Sequence, residues 1–428
     1  MTTERFPTLA EIRSSQLDSL RALVAALLPE NRFYSERLSR VSLTADIESL
    51  EEFSKRLPCT EKQELVDDQA AVPPYGTNLT YPLATYSRFN QTSGTSGAAL
   101  RWLDTPESWA WMLGNWQEVY RAASVDARDR VFFAFSYGPF LGFWTAYEAA
   151  THLGCLAIPG GGQSSLARLE TIRDNDVTVL CCTPSYAIRL AEVAREEGLD
   201  LGSLNVRRII VAGEPGGSLP EVRRMIESEW RGAGVFDHHG MTEVGPVTFE
   251  CPEQAGALHV IETSYLAEVV DSESGEPVDD GVRGELVLTT LGRLGSPLLR
   301  YRTGDVVCAT RRTPCSCGRH DLLLEGGILA RRDEMVSVKG VNVYPTAVES
   351  ALRAFDEVVE YRVEIREEKG INALRVLVEL SPSELTDSAA CRIEDALRAA
   401  FGLRIPVEVA ASGELPRFEL KARRWVRV

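Results

Sequence analysis

Apolar positions change their spacing several times along the chain, and the changes divide it. Between about residues 9 and 70, Leu9, Ile12, Leu17, Leu20, Leu23, Val24 and Leu27 recur at the interval of an amphipathic helix, continued by Phe33, Tyr34, Leu38 and Leu43. Pro58-Cys59-Thr60-Glu61-Lys62 reads as a helix start with Thr60 as its cap. Further on, short apolar runs alternate with helical stretches. Val131–Ser136 predicts a buried strand and Phe140–Leu153 an apolar helix. Cys155–Ile158 predicts a second strand, closed by Pro159-Gly160-Gly161-Gly162. A helix near 165–174, a strand over Val177–Cys182, a helix from about 185 to 197 and a strand over Arg208–Gly213 follow. Such alternation implies a mostly parallel sheet covered on both faces. Ligands of such sheets bind beyond the carboxyl ends of the strands, where Thr183-Pro184 and Gly213-Glu214-Pro215 stand.

From about 257 to 330 the pattern turns β-like, with Glu285–Thr290 as its clearest run and Ser274-Gly275-Glu276-Pro277 as a turn. After Arg331-Arg332-Asp333 it changes again: strand-like residues near 336–343, a helix from Pro345 to about Phe355, strands near 358–366 and 373–379, and a helix from about 384 to 401. The expected fold class is therefore α/β. A large domain over 1–332 carries the parallel sheet and a β-rich subdomain, and a small α+β domain occupies 333–428. There is no internal repeat.

Composition narrows the function. A length of 428 residues calls for two or three domains, and 44% hydrophobic with 25% charged residues is ordinary for a globular protein. The net charge of −16 argues against general binding to nucleic acid or anionic membranes, although backbone amides can still hold a phosphate locally. No stretch reaches the roughly 18 apolar residues of a membrane helix. The N-terminal residues lack a signal-peptide pattern, and the nine cysteines do not form a disulfide framework. A cytoplasmic location is expected.

The candidate chemistry begins at Gln91-Thr92-Ser93-Gly94-Thr95-Ser96-Gly97-Ala98-Ala99. Glycines allow close backbone approach to an anion, and hydroxyls add donors, so this composition suits a phosphate-wrapping loop. It is not the G-x-x-x-x-G-K-[ST] loop, because no Lys follows Gly97. Further down stand Asp237-His238-His239-Gly240-Met241-Thr242-Glu243, Tyr301-Arg302-Thr303-Gly304-Asp305, Arg331-Arg332-Asp333, Lys339-Gly340-Val341-Asn342 and Leu415-Pro416-Arg417-Phe418-Glu419-Leu420-Lys421.

In order and spacing this set resembles the adenylate-forming superfamily of acyl-CoA synthetases, peptide-synthetase adenylation domains and luciferases. The run Val338–Pro345 brings it nearest to the phenylacetate–coenzyme A ligase branch. The resemblance implies that Thr92, Ser93, Gly94, Thr95, Ser96 and Gly97 hold the ATP phosphates. Gly213, Glu214 and Pro215 would border the adenine, with Asp237, His238 and His239 beside it. Thr242 would touch the α-phosphate and Glu243 would hold Mg²⁺. Asp305 would take the ribose hydroxyls and Arg331 would reach the same region. Asp333 matches the hinge, Lys421 the lysine between acid and α-phosphate, and Lys339-Gly340 the pantetheine tunnel. The small domain would rotate between adenylation and thioester formation. Four positions depart from the family pattern: Ala98-Ala99 stand where a Pro-Lys or Lys-Pro is usual, His239 replaces an adenine-stacking Tyr, Leu420 replaces a Gly, and Ala330 stands where Gly is usual before Arg331.

Two further groups complete the reading. Cys251, His259, Cys315 and Cys317 form a Cys₃His set suited to a closed, structural zinc site. Tyr137, Gly138, Phe140, Phe143 and Trp144, with Ala212, Gly213 and His238, suggest a flat aromatic slot for an aryl carboxylate. His238 could bond a polar ring substituent, which points to a hydroxy- or aminobenzoate-like acid. The expected activity is ATP-dependent, AMP-forming ligation of that acid to coenzyme A. The alternatives are loading of a carrier protein's phosphopantetheine, or phenylacetate as the acid. A homodimer is left open.

Overall fold

The computed structural model describes residues 5–92, 99–311, 314–368, 371–381, 387–418 and 421–428, and counts of elements refer to these. The helices α1 (Leu9–Glu30), α2 (Arg32–Arg40), α3 (Leu50–Arg56) and α4 (Lys62–Ala71) open the chain. Leu20, Leu23, Val24, Leu27, Tyr34 and Phe53 bury their faces against Leu266, Leu291 and Leu299 of the β-rich region. Thr60 is not the cap of α4. Glu61 occupies that place, with its N–H bonded to the Glu64 carboxylate at 2.8 Å. Thr60 instead pairs with strand residues far away: its N–H donates to Arg300 O, and its hydroxyl to Leu299 O at 2.7 Å. A local cap was outcompeted by a long-range bridge.

A hairpin of β1 (Arg88–Gln91) and β2 (Arg101–Asp104) leads into α5 (Pro106–Ala122). The strands β3 (Arg130–Phe133), β4 (Leu156–Pro159), β5 (Val179–Cys182), β6 (Arg208–Val211) and β7 (Gly234–Asp237) form a five-stranded parallel sheet in the order β4-β3-β5-β6-β7. Its crossovers contain α6 (Trp144–Leu153), α7 (Ser165–Asp174), α8 (Pro184–Glu196) and α9 (Pro220–Glu229). The apolar runs are explained by burial on both faces. Val131, Phe133, Val179, Cys181 and Ile210 enter one core, whereas Phe132, Leu180, Cys182, Ile209 and Val211 enter the other. The helix expected from Phe140 starts only at Trp144, since residues 139–143 form a turn. Phe140 therefore lies off the inner helix face and is 45% exposed.

After a short pair, β8 (Gly240–Met241) with β9 (Gly245–Pro246), comes the β-rich region. It holds β10 (Thr248–Cys251), β11 (Gln254–Val260), β12 (Tyr265–Val270), β13 (Arg283–Thr290), β14 (Tyr301–Thr310), β15 (Leu323–Leu324) and β16 (Ala330–Arg331), joined in one antiparallel seven-stranded sheet. The last part of the chain contains the hairpin β17 (Val336–Val338) and β18 (Val341–Val343), then α10 (Pro345–Arg353), β19 (Val358–Glu368), β20 (Ile371–Leu380), α11 (Asp387–Phe401), β21 (Val407–Val409) and β22 (Trp425–Arg427). Val343, Val348, Val363, Val376, Ile393 and Leu397 enclose a core of their own. The turn of the first hairpin is Lys339-Gly340, with φ of +50° and +84°. That left-handed pair accounts for glycine at 340.

Candidate active site

The carboxyl ends of β5, β6 and β7 meet at one edge of the parallel sheet. After β5, the Thr183 hydroxyl caps α8 by accepting from Tyr186 N–H, and Pro184 takes the first helical position, where no N–H is needed. After β6 comes Gly213, at φ +97°, a conformation that glycine accommodates without strain. The carboxylate of Glu214 spans two bodies: Oε1 accepts from Ser185 N–H and Oε2 from Ala422 N–H, both at 2.8 Å. The Cε of Lys421 lies 3.6 Å from the position a β-carbon would take on Gly213. The small domain thus delivers Lys421 to the sheet edge. Desolvation lowers the Lys421 ammonium pKa below the ordinary value; Glu214 opposes the shift and Arg331 adds to it.

After β7, Asp237 turns inward. Its carboxylate accepts from the Ser218 hydroxyl at 2.5 Å and from His238 N–H at 3.0 Å, and desolvation raises its pKa. His238 is buried, with Nδ1 2.6 Å from Thr248 O. A carbonyl partner requires the proton on Nδ1 and leaves Nε2 as an acceptor. Burial pushes the pKa of this imidazole down to about 3, so it is neutral at neutral pH. Its ring lies 4.4 Å from that of Trp116 on α5.

His239 Nε2 stands 3.0 Å from Asp305 Oδ2, and Arg331 Nη1 donates to Asp305 Oδ1 at 3.1 Å. Burial raises the Asp305 pKa, but His239 and then Arg331 outweigh it, and the net shift is downward. Arg331 also holds Asp333 through two bonds, at 3.0 and 3.2 Å. Lys339 and Gly340 are exposed in this arrangement.

Thr242 and Glu243 are fixed by a residue that sequence reading missed. Arg293 is fully buried, pairs with both carboxylate oxygens of Asp104 at 2.6 and 2.7 Å, and donates to the carbonyls of Thr242 and Glu243, each at 2.8 Å. Asp104 and Arg293 are too far apart in sequence for any local signal to pair them. The Glu243 carboxylate faces Lys62 Nζ at 3.3 Å and the Tyr301 hydroxyl at 3.5 Å. Lys62, to which the sequence reading gave no role in the site, thereby sets a cation beside Glu243.

Ser93, Gly94, Thr95, Ser96 and Gly97 lie outside the described residues. Thr92 is buried, and its N–H and hydroxyl pair with Leu100 O and Leu100 N–H at 2.9 and 3.0 Å. The loop's two flanks are therefore clamped together.

The aromatic group forms a continuous run. Phe135 and Phe143 stack at 4.3 Å, Phe143 lies 6.3 Å from Trp116, and Tyr137 touches Phe135 at 5.0 Å and Trp144 at 4.6 Å. Phe135 and Trp116 were not singled out from sequence. The Trp144 indole donates to Gly138 O at 3.0 Å. The Tyr137 hydroxyl is buried and has no hydrogen-bond partner among the described residues.

At the far end of β10 and β11, Cys251, His259, Cys315 and Cys317 bring one ligand atom each within 4.8 Å of all the others. His259 Nδ1 lies 3.1 Å from Asp321 O, which directs the Nε2 lone pair towards Cys317 Sγ at 3.4 Å. The hydrogen bond from Cys251, and then His259, pull the Cys317 thiol well below its ordinary pKa. Three thiols and an imidazole are a soft donor set that fits tetrahedral zinc coordination.

Comparison with known proteins agrees with this geometry. Residues 89–292 match the AMP-binding enzyme family and residues 340–427 its AMP-binding enzyme C-terminal domain. A phenylacetate-coenzyme A ligase of Thermus thermophilus is 33% identical over 379 residues, spanning 87% of this chain and 82% of the relative. The crystal structure of a 2-hydroxyisobutyryl-CoA ligase in the postadenylation state, in complex with R3-HIB-AMP, superposes with a TM-score of 0.93 at 27% identity, over 100% of this chain and 93% of that one. The same ligase in the thioesterification state, with 2-HIB-AMP and CoA, gives 0.74 at 28% identity, over 99% and 91%. The chain thus superposes more closely on the postadenylation-state structure than on the thioesterification-state one. The chain belongs to the adenylate-forming family of AMP-forming acid–coenzyme A ligases, in the phenylacetate–coenzyme A ligase-like branch.

Proposed function

We propose that the acid is a small aromatic carboxylate of the hydroxy- or aminobenzoate type, adenylated with ATP and passed to the thiol of coenzyme A. The observation that carries this reading is the neutral His238, its Nε2 free to accept, set against Trp116 beside the Phe135–Phe143 stack. A hydroxyl or amine on an aromatic acid would meet His238 Nε2 or the unpartnered Tyr137 hydroxyl, and its ring would extend the Trp116–Phe143–Phe135 run. A site built around a polar group rejects an acid lacking it more strongly than it rejects a missing methylene.

The residues then take these roles. Lys421, at the Gly213 edge, offsets the repulsion between the carboxylate and the α-phosphate as the carboxylate oxygen attacks and pyrophosphate leaves. Asp305, oriented by Arg331 and His239, accepts from the ribose hydroxyls. Thr242 and Glu243 stay in place because Arg293 holds their carbonyls. Lys62 supplies positive charge that the phosphate loop lacks after Gly97. Glu243, a hard oxygen donor, fits Mg²⁺, which when bound would neutralise charge on the phosphates. The Cys251, His259, Cys315 and Cys317 set fits structural Zn²⁺, which would brace the β10–β11 end of the sheet. The rotation that brings Lys339-Gly340 to the thiol's path starts at Asp333.

A second reading, a short branched 2-hydroxy acid, is favoured by the direct contacts among the rings and by the full-length likeness to the 2-hydroxyisobutyryl-CoA ligase. Phenylacetate is the third acid to test, in view of the Thermus relative. The test is kcat/KM for benzoate, salicylate, anthranilate, hydroxyanthranilate, phenylacetate, 2-hydroxyisobutyrate and octanoate, with coenzyme A and with a phosphopantetheinylated carrier protein as acceptors. The expected result is preference for a substituted benzoate and for coenzyme A. Preference for octanoate would overturn the aromatic slot, and preference for 2-hydroxyisobutyrate would select the second reading.

A further inference from the structure

Several contacts between the small domain and the large one run through the ends of long side chains, and the Thr346 hydroxyl donates to Leu329 O at 2.6 Å. Arg224 reaches Asp356 at 3.1 Å, the Ser350 hydroxyl reaches Glu221 at 3.0 Å, and Arg417 reaches Glu192 at 3.4 Å. Such contacts tolerate displacement, because their rotamers follow the partner, and where exposed they stabilise little. Glu214 makes a different contact. Its Oε1 is anchored by the Ser185 N–H in the first turn of α8, and its Oε2 is taken by the Ala422 N–H. A backbone donor has no rotamer to adjust, so this bond fixes the main chain at 422 relative to the sheet edge. Lys421 is the preceding residue, and its Cε is already packed against Gly213. Arg424 reinforces the seam by donating to the Ser185 hydroxyl at 3.1 Å.

We infer that Glu214 is a positioning residue, holding Lys421 in its adenylate-forming place through the Ala422 N–H, and that this bond breaks when the small domain turns for thioester formation. The inference rests on the role of Lys421 given under Proposed function. Desolvation raises the Glu214 pKa; the Arg424 charge and the two amides work against that shift. When Ala422 departs, one of those two amides is lost.

The test separates the half-reactions. Adenylation is read as acid-dependent pyrophosphate–ATP exchange, and thioester formation as coenzyme A acylation from a supplied synthetic acyl-adenylate. Glu214→Gln turns one acceptor oxygen into a donor facing an N–H. Exchange should fall by about tenfold to a hundredfold, and by at least about threefold more than thioester formation from supplied adenylate falls. Ala422→Pro deletes the N–H from the other side and should give the same split with Glu214 intact. Parallel loss of both half-reactions in both variants, or unchanged exchange in Glu214→Gln, would overturn the inference. A simple loss of fold lowers both half-reactions together, and the ratio between them is therefore the diagnostic quantity. Absence of exchange in the unsubstituted protein with every acid of the panel would instead overturn the reading of the site, and this inference with it.

Discussion

The side chain of Lys421 reaches the edge of the parallel sheet beside Gly213. Lys421→Ala should cut acid-dependent pyrophosphate exchange by about a hundredfold or more, since charge placed where charge develops is a large catalytic effect. Thioester formation from supplied acyl-adenylate should change little; equal loss in both steps would contradict the rotating-domain account. Arg293 acts without touching substrate. Its guanidinium is enclosed, with Asp104 as counter-ion and the Thr242 and Glu243 carbonyls as acceptors. Arg293→Ala leaves the Asp104 carboxylate buried and unpaired, and should destabilise the protein by about 3–5 kcal/mol in urea denaturation.

His238 gives the pH prediction at the same scale. Its folded pKa is about 3, against an ordinary histidine value of about 6.5 in the unfolded chain. Between those values the unfolded state binds the extra proton, so stability rises with pH there and is lost as pH falls below about 6.5. His238→Asn keeps a donor towards Thr248 O and removes the titration. The stability difference between the natural protein and this variant should therefore shift against the natural protein on acidification from pH 7 to 5, measured as paired melting curves. A constant difference would show that the imidazole is not buried neutral.

Among the elements, the loop that carries Cys315 and Cys317 leans on side-chain contacts. The tight Cys315–Arg319 turn is closed by Cys315 N–H to Arg319 O at 2.8 Å, and the Arg319 guanidinium sits between the rings of Phe6 and Phe249, 4.4 Å from each. Elemental analysis should find about one zinc per chain, as one closed site holds one ion. Cys315→Ser should release it and lower the melting temperature, because ligand-set formation and folding are coupled. Metal-free protein that melts unchanged would remove zinc from this site.

For the whole molecule, the rotation proposed for the small domain turns on the segment around Asp333, where Arg331 clamps the carboxylate and Arg332 reaches Glu285 at 3.3 Å. Asp333→Pro restricts φ there. It should leave pyrophosphate exchange within a few-fold and slow thioester formation markedly, read by coenzyme A consumption under single-turnover conditions. Slowing of both steps alike would place the pivot elsewhere. Among the described residues no helix is long and apolar enough to cross a membrane.

The parallel sheet was legible in the sequence because burial on both faces writes unbroken apolar runs such as Val131-Phe132-Phe133 and Val179–Cys182, and the crossovers between them have helical periodicity. The sequence motifs around Gly213, His238 and Lys421 fall where strands end or loops close, and Asp305 lies within β14, paired with Arg331 of β16. The Cys₃His group was legible from its donor types alone. Tertiary structure decided the rest. Thr60 bridges to β14 in place of capping α4, and Phe140 faces solvent because the turn before α6 runs to residue 143. The supports of the site, Lys62 for Glu243, Asp104 with Arg293 for the Thr242–Glu243 carbonyls, and Glu214 for Ala422, join residues separated by tens to hundreds of positions. No periodicity or spacing records such pairs, since each becomes a contact only after several elements have packed and excluded water from the groups between them.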